Sequence, residues 1–282
     1  MGYQIIERIN LNSSNVSIKV FAPLVSAKAQ AGQFVILRPF SDSERIPLTI
    51  SDYDRERGTI TLVFAPVGET TAELNSLCVG DEICDVCGPL GNATVVGSGY
   101  TVVIGGGVGS AIALPVAKAV KACGGKVTAI LGFRTKELVI FEDEFRAVCD
   151  EVIVTTDDGS YGIKGSVVAP LNEILKRSGC SPWEVFAVGS LNMMKYVSLA
   201  TKPFGVKTTV SMNPIMIDGT GMCGGCRLTV GGKVRFACVD GPDFDGYEVD
   251  FDEAMRRGSM YRDFERHAYD NSCNLFKKGG QI

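Results

Sequence analysis

The sequence has 282 residues, of which 45% are hydrophobic and 21% are charged. These values are typical of a folded globular protein that is large enough for two compact domains and an appendage. The net charge of -4 argues against nucleic acid as a partner, because nucleic-acid binders concentrate Lys and Arg on one face. Residues 1–20 carry polar side chains every few positions, and no stretch approaches the roughly 18 apolar residues of a membrane span. The sequence therefore predicts a cytoplasmic protein that does not enter the membrane.

The first third of the chain has the pattern of a small antiparallel β-barrel. Short β-type runs are separated by turn residues, and they occur at residues 16–21, 34–37, 59–65 and 82–86. Several strands of this length and spacing are typical of such a barrel. We therefore expect a barrel domain over residues 1–97.

Two segments of the predicted barrel carry anion-binding chemistry. Residues 45–50 read Arg-Ile-Pro-Leu-Thr-Ile, and we expect them at the end of a strand. The planar guanidinium of Arg45 suits a pyrophosphate because it donates two parallel hydrogen bonds; the alternative is a surface ion pair. Residues 68–74 read as a helix start with hydroxyl caps, which is a second place for an anion.

The chain has ten cysteines, and without a secretory signal we expect them to be reduced thiols. Cys84 and Cys87 form a C-x-x-C pair in the barrel, which lacks a partner pair and is predicted to be structural. Five others occur singly and are expected to be small buried hydrophobes: Cys78, Cys123, Cys149, Cys180 and Cys273.

Beyond residue 97 apolar strands alternate with helix-like segments, which is typical of a parallel sheet with crossover helices. We place this α/β domain at residues 98–206. Its first strand leads directly into a glycine-rich turn, Gly105-Gly106-Gly107-Val108-Gly109, and then into a helix start. Glycines let backbone N–H groups approach a pyrophosphate, and the helix N-terminus adds partial positive charge. A tight strand-to-helix turn without a ligand is the alternative, since Ser110 replaces the last glycine of the G-x-G-x-x-G fingerprint.

Other residues of this domain are predicted at the ends of neighbouring strands. Gly132 and Arg134 follow one strand and Gly189 follows another, at the edge where open α/β sheets place their ligands. Asp157, at a third strand end, either hydrogen-bonds a ribose or belongs to a solvated acidic turn. Because Arg134 could accept a 2′-phosphate, the sequence leaves open both NAD(H) and NADP(H).

The strongest chemical signal lies in the third region, residues 207–282. Asp218 is followed by Cys223 and Cys226, and eleven residues then separate Cys226 from Cys238. Three thiolates and a carboxylate on a glycine-rich loop suit an iron–sulfur cluster, because the glycines let N–H groups turn toward its sulfurs. A zinc site is the alternative, with Asp218 as the fourth ligand, since the one histidine is the distant His267.

A charged segment, residues 250–267, reads as a single amphipathic helix. Its apolar members are expected to be Phe251, Ala254, Met255, Tyr261 and Phe264. Such a face either packs against its own domain or docks a partner.

The order of these motifs resembles the ferredoxin-reductase superfamily, in which a flavin-binding barrel precedes a nicotinamide-binding α/β domain. The segment that carries Asp218, Cys223, Cys226 and Cys238 is called the cysteine loop below. When this loop is included, the chain looks like a group of iron–sulfur flavoproteins. The group includes the electron-transfer subunits of dihydroorotate dehydrogenase, the sulfide dehydrogenase small subunit and the small subunit of NADH-dependent reduced ferredoxin:NADP oxidoreductase. The dihydroorotate members use four cysteines, whereas here Asp218 replaces the first. This departure is closer to the last of the three.

The resemblance implies the fold class and the roles of the residues. The fold would be an antiparallel FAD-binding barrel, a parallel-sheet NAD-binding domain and a small C-terminal [2Fe-2S] region. Thr49 would face the flavin as the catalytic residue, Arg45 would lie on the pyrophosphate, and the cluster would be held by Asp218 and the three cysteines. The other cofactor-binding residues would be Pro47, Leu48, Ile50, Gly68, Thr70, Thr71, Gly105, Gly106, Gly107, Val108, Gly109, Gly132, Arg134, Asp157 and Gly189.

The resemblance also implies a function in electron transfer. Hydride would be exchanged between NAD(H) and FAD, and single electrons would pass through the [2Fe-2S] cluster to a larger flavin and [4Fe-4S] subunit in a heterodimer. Ferredoxin would be reached through that complex, with electron bifurcation at the flavins. The alternatives are the electron-transfer subunit of dihydroorotate dehydrogenase or sulfide dehydrogenase and, outside the enzymes, a zinc-binding interaction module.

Overall fold

The computed structural model describes residues 2–177 and 181–269, so that Cys180 and Cys273 lie outside the described residues. The N-terminal part forms a seven-stranded sheet. Its strands are antiparallel: β1 (Tyr3–Asn10), β2 (Val16–Phe21), β3 (Phe34–Arg38), β4 (Ile46–Asp54), β5 (Thr59–Phe64), β6 (Glu82–Ile83) and β7 (Asp85–Leu90). Helices α1 (Pro23–Ser26) and α2 (Glu69–Ser76) connect them.

This first sheet closes into a barrel. Its strand order is β6-β1-β2-β5-β4-β3-β7, and the two edge strands are separated in the chain by Cys84 alone. Side chains alternate along the strands, so that Ile18 and Val20 of β2 and Leu62 of β5 are fully or almost fully buried inside. The barrel therefore has its own apolar core.

The second sheet is parallel except at one edge. The rest of the chain contains, in order, β8 (Tyr100–Gly106), α3 (Gly109–Ala122), β9 (Lys126–Phe133), α4 (Glu142–Val148), β10 (Glu151–Thr156), β11 (Ile163–Lys164), α5 (Val168–Lys176), β12 (Glu184–Val188), α6 (Leu191–Thr201), β13 (Lys207–Ser211), β14 (Arg227–Val230), β15 (Lys233–Phe236), β16 (Asp243–Asp245) and α7 (Phe251–Gly258). Of these strands, β14 and β15 form a separate hairpin, and the others run in the order β11-β10-β9-β8-β12-β13-β16. The predicted fold class is confirmed.

The strand order fixes where a ligand can bind. The chain leaves the central strand β8 toward β9 and β10 on one side and later returns to β12 and β13 on the other. Open sheets of this kind bind ligands outside the carboxyl ends of the strands, at the point where the order reverses. Here that point lies between β8 and β12.

The C-terminal region is tied to the second sheet. β13 pairs with β12, and β16, which follows the cysteine loop, pairs antiparallel with β13. The third region, which the sequence places after residue 206, thus supplies two strands to the α/β sheet. The cysteine loop leaves the sheet after β13 and returns to it at β16.

Two expectations from the sequence were wrong. Residues 45–50 were expected at the end of a strand, but β4 begins at Ile46, so Arg45 stands immediately before it. The segment 250–267 was expected to be one helix, but α7 ends at Gly258, and a second helical stretch covers residues 262–269. Glycine is a poor helix former because it loses the most backbone freedom. Within the described ranges, no helix is long and apolar enough to cross a membrane.

Candidate functional site

A cleft of about 920 Å³ opens at the carboxyl edge of the parallel sheet. Its floor is formed by the ends of β8, β9 and β10, and its wall by the first turn of α6. Ala65 and Val67, which follow strand β5 of the barrel, close the opposite side. The cleft thus lies between the two sheets, where the sequence predicts the nucleotide.

The glycine-rich turn is the most tightly constrained part of this cleft. A methyl group at Gly109 would lie 2.4 Å from the carbonyl oxygen of Val188, and one at Gly105 would lie 2.7 Å from the Cα of Ser110. Gly107 has φ of +57°, which favours glycine. The turn thus brings strand ends and the start of α3 together more closely than side chains would allow, with the helix N-terminus facing a potential anion.

The predicted nucleotide residues divide into two groups. One group lines the cleft: Gly106, Gly107, Val108, Gly132, Arg134 and Asp157. The second group lies behind the cleft and permits close packing of the backbone. Gly189 belongs to it, since a methyl group there would be 3.1 Å from the Cα of Gly106. Gly105 and Gly109 belong to this second group. Their value to the site is the close approach of backbone rather than contact with a ligand.

The rim of the cleft carries charges of both signs. Arg134 and Asp157 both line it and both are exposed. Next to them, the side chain and the backbone N–H of Ser160 donate to Asp158, and these hydrogen bonds lower the pKa of that carboxyl. Asp158 is therefore held as a carboxylate directly beside Asp157, which lines the cleft.

Residues 45–50, called the flavin motif because of the predicted role of Thr49, lead into and along strand β4. Ile50 is fully buried in the barrel core, and Leu48 packs partly against the same core. Because side chains alternate along a strand, Pro47 and Thr49 point to the other face, and Arg45 stands immediately before the strand. Ile50, which is buried inward, can reach a cofactor only through its backbone.

This outward face of the barrel is turned toward the cysteine loop. Thr49 lies opposite Phe34 on β3, and Pro47 lies opposite Ile36. Directly opposed residues in an antiparallel pair project to the same side, and Phe34 and Ile36 belong to the apolar cluster that contains Cys226 and Cys238. The predicted flavin residue Thr49 and the buried thiols therefore lie on the same side of the barrel wall.

The helix start predicted at Gly68 is present, with Gly68 as the N-cap of α2. The hydroxyl of Thr71 accepts hydrogen bonds from the backbone N–H groups of Val67 and Gly68, at 3.0 and 2.9 Å. Thr70 is buried. Thr71 thus holds the shape of the turn, and Val67 carries that turn into the nucleotide cleft.

The cysteine loop carries three thiols and one carboxylate, with the hairpin of β14 and β15 between Cys226 and Cys238. Cys226 and Cys238 are buried, and their Sγ atoms are 3.2 Å apart. Cys223 is exposed, and its sulfur accepts the N–H of Gly225 at 3.4 Å. Asp218 accepts the N–H of Cys223 at 2.9 Å. The four predicted ligands therefore form two contacting pairs, Asp218 with Cys223 and Cys226 with Cys238.

Protonation separates the two kinds of ligand. The hydroxyl of Thr220, followed by the N–H of Cys223, holds the pKa of Asp218 well below its ordinary value. Burial, together with the neighbouring Cys226, raises the pKa of Cys238 to about 12. Asp218 is therefore already a carboxylate, whereas the thiol of Cys238 must release its proton when a metal binds.

The donor set of three thiols and one carboxylate fits an iron–sulfur cluster. In residues 2–177 and 181–269, no three His, Cys, Asp or Glu side chains gather at one point. A [2Fe-2S] cluster spreads its four ligands over two iron ions. N–H groups of Gly225 and Gly221 point at the sulfurs of Cys223 and Cys238, which suits an anionic cluster.

Among the described residues, the other cysteines form no second cluster. Cys84 and Cys87 are free thiols, half-buried and exposed respectively. The single residues Cys78 and Cys123 were expected to be buried but are exposed. Burial raises the pKa of Cys149 to about 12, so that its thiol is unreactive at neutral pH.

Sequence reasoning missed the residues that complete the cleft from other elements. Asn192, Met193 and Tyr196 lie in the first turns of α6. The strand end at Gly189 was a usable signal for this wall, because the helix that follows such an end faces the same crevice. Ala65 and Val67 gave no signal, since only the tertiary fold brings the barrel to the cleft.

Known proteins with the same architecture identify the class. A solved ferredoxin reductase in carbazole 1,9a-dioxygenase shares the fold, with 18% identity, a TM-score of 0.60 and coverage of 73% of this chain and 66% of that chain. Residues 213–250 match the iron-sulfur cluster binding domain of dihydroorotate dehydrogenase B. The fold and the loop thus define a ferredoxin-reductase-like protein with an iron–sulfur binding domain. A Thermotoga maritima protein, named dihydroorotate dehydrogenase B (NAD(+)) electron transfer subunit homolog, is 44% identical over 269 residues, covering 95% of this chain and 94% of its own. The chain belongs to this family of electron-transfer subunits and their homologues.

A solved structure agrees over nearly the whole chain. It comes from a study of flavin-based electron bifurcation in the NADH-dependent reduced ferredoxin-NADP oxidoreductase. The two chains are 43% identical, with a TM-score of 0.89 and coverage of 96% of this chain and 98% of the other. The chain is therefore an oxidoreductase subunit, and the alternative of a zinc-binding interaction module is set aside.

Proposed function

We propose that this chain is the electron-transfer subunit of a flavin-based NADH-dependent ferredoxin:NADP oxidoreductase, with NAD(H), FAD and a [2Fe-2S] cluster as its cofactors. The observation that carries the proposal is the position of the flavin motif. Pro47 and Thr49 lie on the barrel face that is turned toward the buried cysteines, and Arg45 donates a hydrogen bond to Ile217 beside the cysteine loop's Asp218. The same barrel contributes Val67 to the nucleotide cleft.

Each region has a distinct part in this function. We assign FAD binding to residues 1–97, nucleotide binding to residues 98–206 and cluster binding to residues 207–282. When bound, FAD exchanges a hydride with the nicotinamide and passes single electrons to the cluster. The protein supplies position and electrostatics for this chemistry.

The residues of the cleft hold and orient the nucleotide. The turn at Gly106 and Gly107 and the N-terminus of α3 take the pyrophosphate on backbone N–H groups. Asp157 accepts hydrogen bonds from a ribose hydroxyl, and its negative charge disfavours a 2′-phosphate. Arg134 opposes that effect, so that NAD(H) preference depends on the balance of the two side chains.

On the flavin side, Arg45 holds the FAD pyrophosphate with its planar fork. Thr49 presents its hydroxyl to the flavin ring system. In the cluster loop Asp218, Cys223, Cys226 and Cys238 hold the iron. The carboxylate is a harder ligand than a thiolate, so this cluster differs electronically from one with four cysteines.

The partner is a larger oxidoreductase subunit, in keeping with the role of an electron-transfer subunit. We propose that it carries flavin and [4Fe-4S] clusters, that ferredoxin reacts with it, and that the complex bifurcates electrons in the cytoplasm. The second candidate is the electron-transfer subunit of dihydroorotate dehydrogenase, which the match of residues 213–250 favours. Asp218 in place of a fourth cysteine favours the first candidate, the subunit of a ferredoxin:NADP oxidoreductase.

Rapid-mixing measurements of flavin reduction test this proposal. The purified holoprotein is mixed anaerobically with NADH or with NADPH, and bleaching of the flavin absorption is followed. The proposal expects fast bleaching by NADH and slow bleaching by NADPH. A strong preference for NADPH would contradict the assignment of this flavin to NAD(H). Purification from the native source with a dihydroorotate-oxidising subunit would favour the second candidate.

A further inference from the structure

Arg45 connects the flavin motif to the cysteine loop. Its Nε donates a hydrogen bond of 3.0 Å to the carbonyl oxygen of Ile217. Ile217 directly precedes the predicted ligand Asp218, and Arg45 directly precedes strand β4. One side chain therefore joins two segments that are 172 positions apart in the sequence.

A second contact holds the same part of the loop against the barrel. A methyl group at Gly219 would lie 2.7 Å from the Cδ1 of Leu90 and 2.9 Å from the Cγ1 of Ile36. The backbone at Gly219 has φ of +80°, in the region that favours glycine. Residues 217–219 thus rest directly on the barrel wall, with the Arg45 hydrogen bond at one end of the contact.

Arg45 has hydrogen-bond donors left over for a ligand. A guanidinium carries five N–H donors in a fixed plane, and Ile217 uses the one on Nε. In the part of the chain that the structure describes, the four donors on Nη1 and Nη2 have no hydrogen-bond acceptor. This edge of the fork is the one that binds a phosphate through two parallel hydrogen bonds.

We propose that Arg45 is a positioning residue that couples flavin binding to retention of the cluster. The inference rests on the proposed function, because both groups must bind to this chain. A diphosphate held on the Nη edge fixes the plane of the guanidinium, and the fixed Nε then holds the carbonyl of Ile217 and the adjacent Asp218. By linkage the effect is reciprocal, so that an intact cluster loop also strengthens flavin binding.

The coupling is measured as protection of the cluster by FAD. Purified holoprotein is divided into an FAD-saturated sample and an FAD-depleted sample, and an iron chelator is added in excess to both. Loss of the cluster absorption then gives two release rates. For the unsubstituted protein we expect release to be about fivefold or more slower with FAD, the lower end of typical coupling between two sites.

Two substitutions and a matched control separate coupling from general stability. Arg45→Gln removes the fork, and Arg45→Lys keeps the charge but has no Nε to hold Ile217. With FAD at saturation, both are expected to lose the protection. Arg55→Gln is the control, because Arg55 also donates from the barrel to backbone carbonyls, those of Ala27 and Ala29. It is expected to keep the full protection.

For each variant, the release rate without FAD is divided by the release rate with FAD. A substitution that only weakens the loop raises both rates by the same factor and leaves this ratio unchanged. Wild-type protection that survives in Arg45→Gln at saturating FAD would overturn the inference. So would a wild type that binds both groups and shows no effect of FAD; in that case the proposed function stands. A wild-type chain that binds neither FAD nor iron overturns both.

Discussion

The nucleotide cleft and the cysteine loop are built by opposite means. The cleft is made chiefly by backbone: Gly105 and Gly109 allow strand ends to approach within distances that exclude a methyl group. The loop is made by side chains, the thiols of Cys226 and Cys238 and the carboxylate of Asp218. A backbone site is damaged by adding atoms, whereas a side-chain site is damaged by removing them.

The largest effect is expected from removing a ligand in the loop. Cys226→Ser or Cys238→Ser replaces a soft thiolate by a hydroxyl that remains protonated, and affinity for the cluster should fall by more than about 100-fold. Iron and sulfide per chain and the visible absorption measure this loss. Cys123→Ser is the matched control, because that thiol is exposed and outside the loop. Full iron content in the Cys226 and Cys238 variants would remove them from the ligand set.

The next largest effect is expected from adding one methyl group in the cleft. Gly109→Ala forces a carbon to 2.4 Å from the carbonyl oxygen of Val188, and the repulsion should lower the free energy of unfolding by about 3 kcal/mol and weaken NADH binding. Chemical denaturation and NADH titration measure the two effects. Gly258→Ala is the control, since a methyl group there meets nothing within 4 Å. Native stability in the Gly109→Ala variant would show that close approach is not required.

A third prediction concerns the joint between the barrel and the strand that returns from the loop. Asp243 on β16 accepts a 2.6 Å hydrogen bond from Thr94, and burial raises its pKa to about 6. The unfolded pKa is about 3.9, so the folded state holds the proton more tightly, and stability falls as pH rises from about 4 to 6. Above pH 6 the deficit is about 3 kcal/mol, at about 1.4 kcal/mol per pKa unit.

Asp243→Asn removes that deficit, so the variant should unfold at higher denaturant concentration than the wild type at pH 7.5 and equally at pH 4. Denaturation curves at several pH values measure this difference. Asp245→Asn, on the same strand but exposed, should leave the pH dependence unchanged. A wild-type pH profile in the Asp243→Asn variant would show that another group titrates in this range.

The smallest effect is expected at the rim of the cleft, where charges are exposed. Arg134→Ala should weaken NADPH binding by about fivefold or less, because an exposed ion pair contributes about 1 kcal/mol at most, and should leave NADH binding almost unchanged. Asp157→Asn should shift the preference in the opposite direction, toward NADPH. Titrations of both nucleotides at low salt compare them. Equal effects on NADH and NADPH would mean that neither side chain distinguishes a 2′-phosphate from a 2′-hydroxyl group.

The same contrast explains what the sequence could predict. Strand–glycine–helix patterns are local, so the turn at Gly105–Gly109 and the strand ends at Gly132 and Gly189 were placed correctly at one sheet edge. The cysteine spacing located a loop but not its attachment: that β16 returns to pair with β13 depends on tertiary contacts. The same holds for Ala65 and Val67, whose place in the cleft is set by the packing of two domains.

Helix ends show a related limit. Of the predicted apolar members of residues 250–267, Phe251 and Ala254 are buried and Met255 packs partly against the same core, but Phe264 is 76% exposed. Periodicity reports which residues could share a face, whereas the turn after Gly258 decides which of them do.

NADH electrons are expected to pass from a flavin to the cluster in this chain, and anaerobic spectroscopy of the purified protein checks this transfer. Purified protein with quantified FAD, iron and sulfide is reduced anaerobically with NADH and then fully reduced, and visible and EPR spectra are recorded. The account predicts flavin bleaching by NADH and a rhombic [2Fe-2S] signal on full reduction. A protein that takes up neither flavin nor iron under cluster-forming conditions would contradict it.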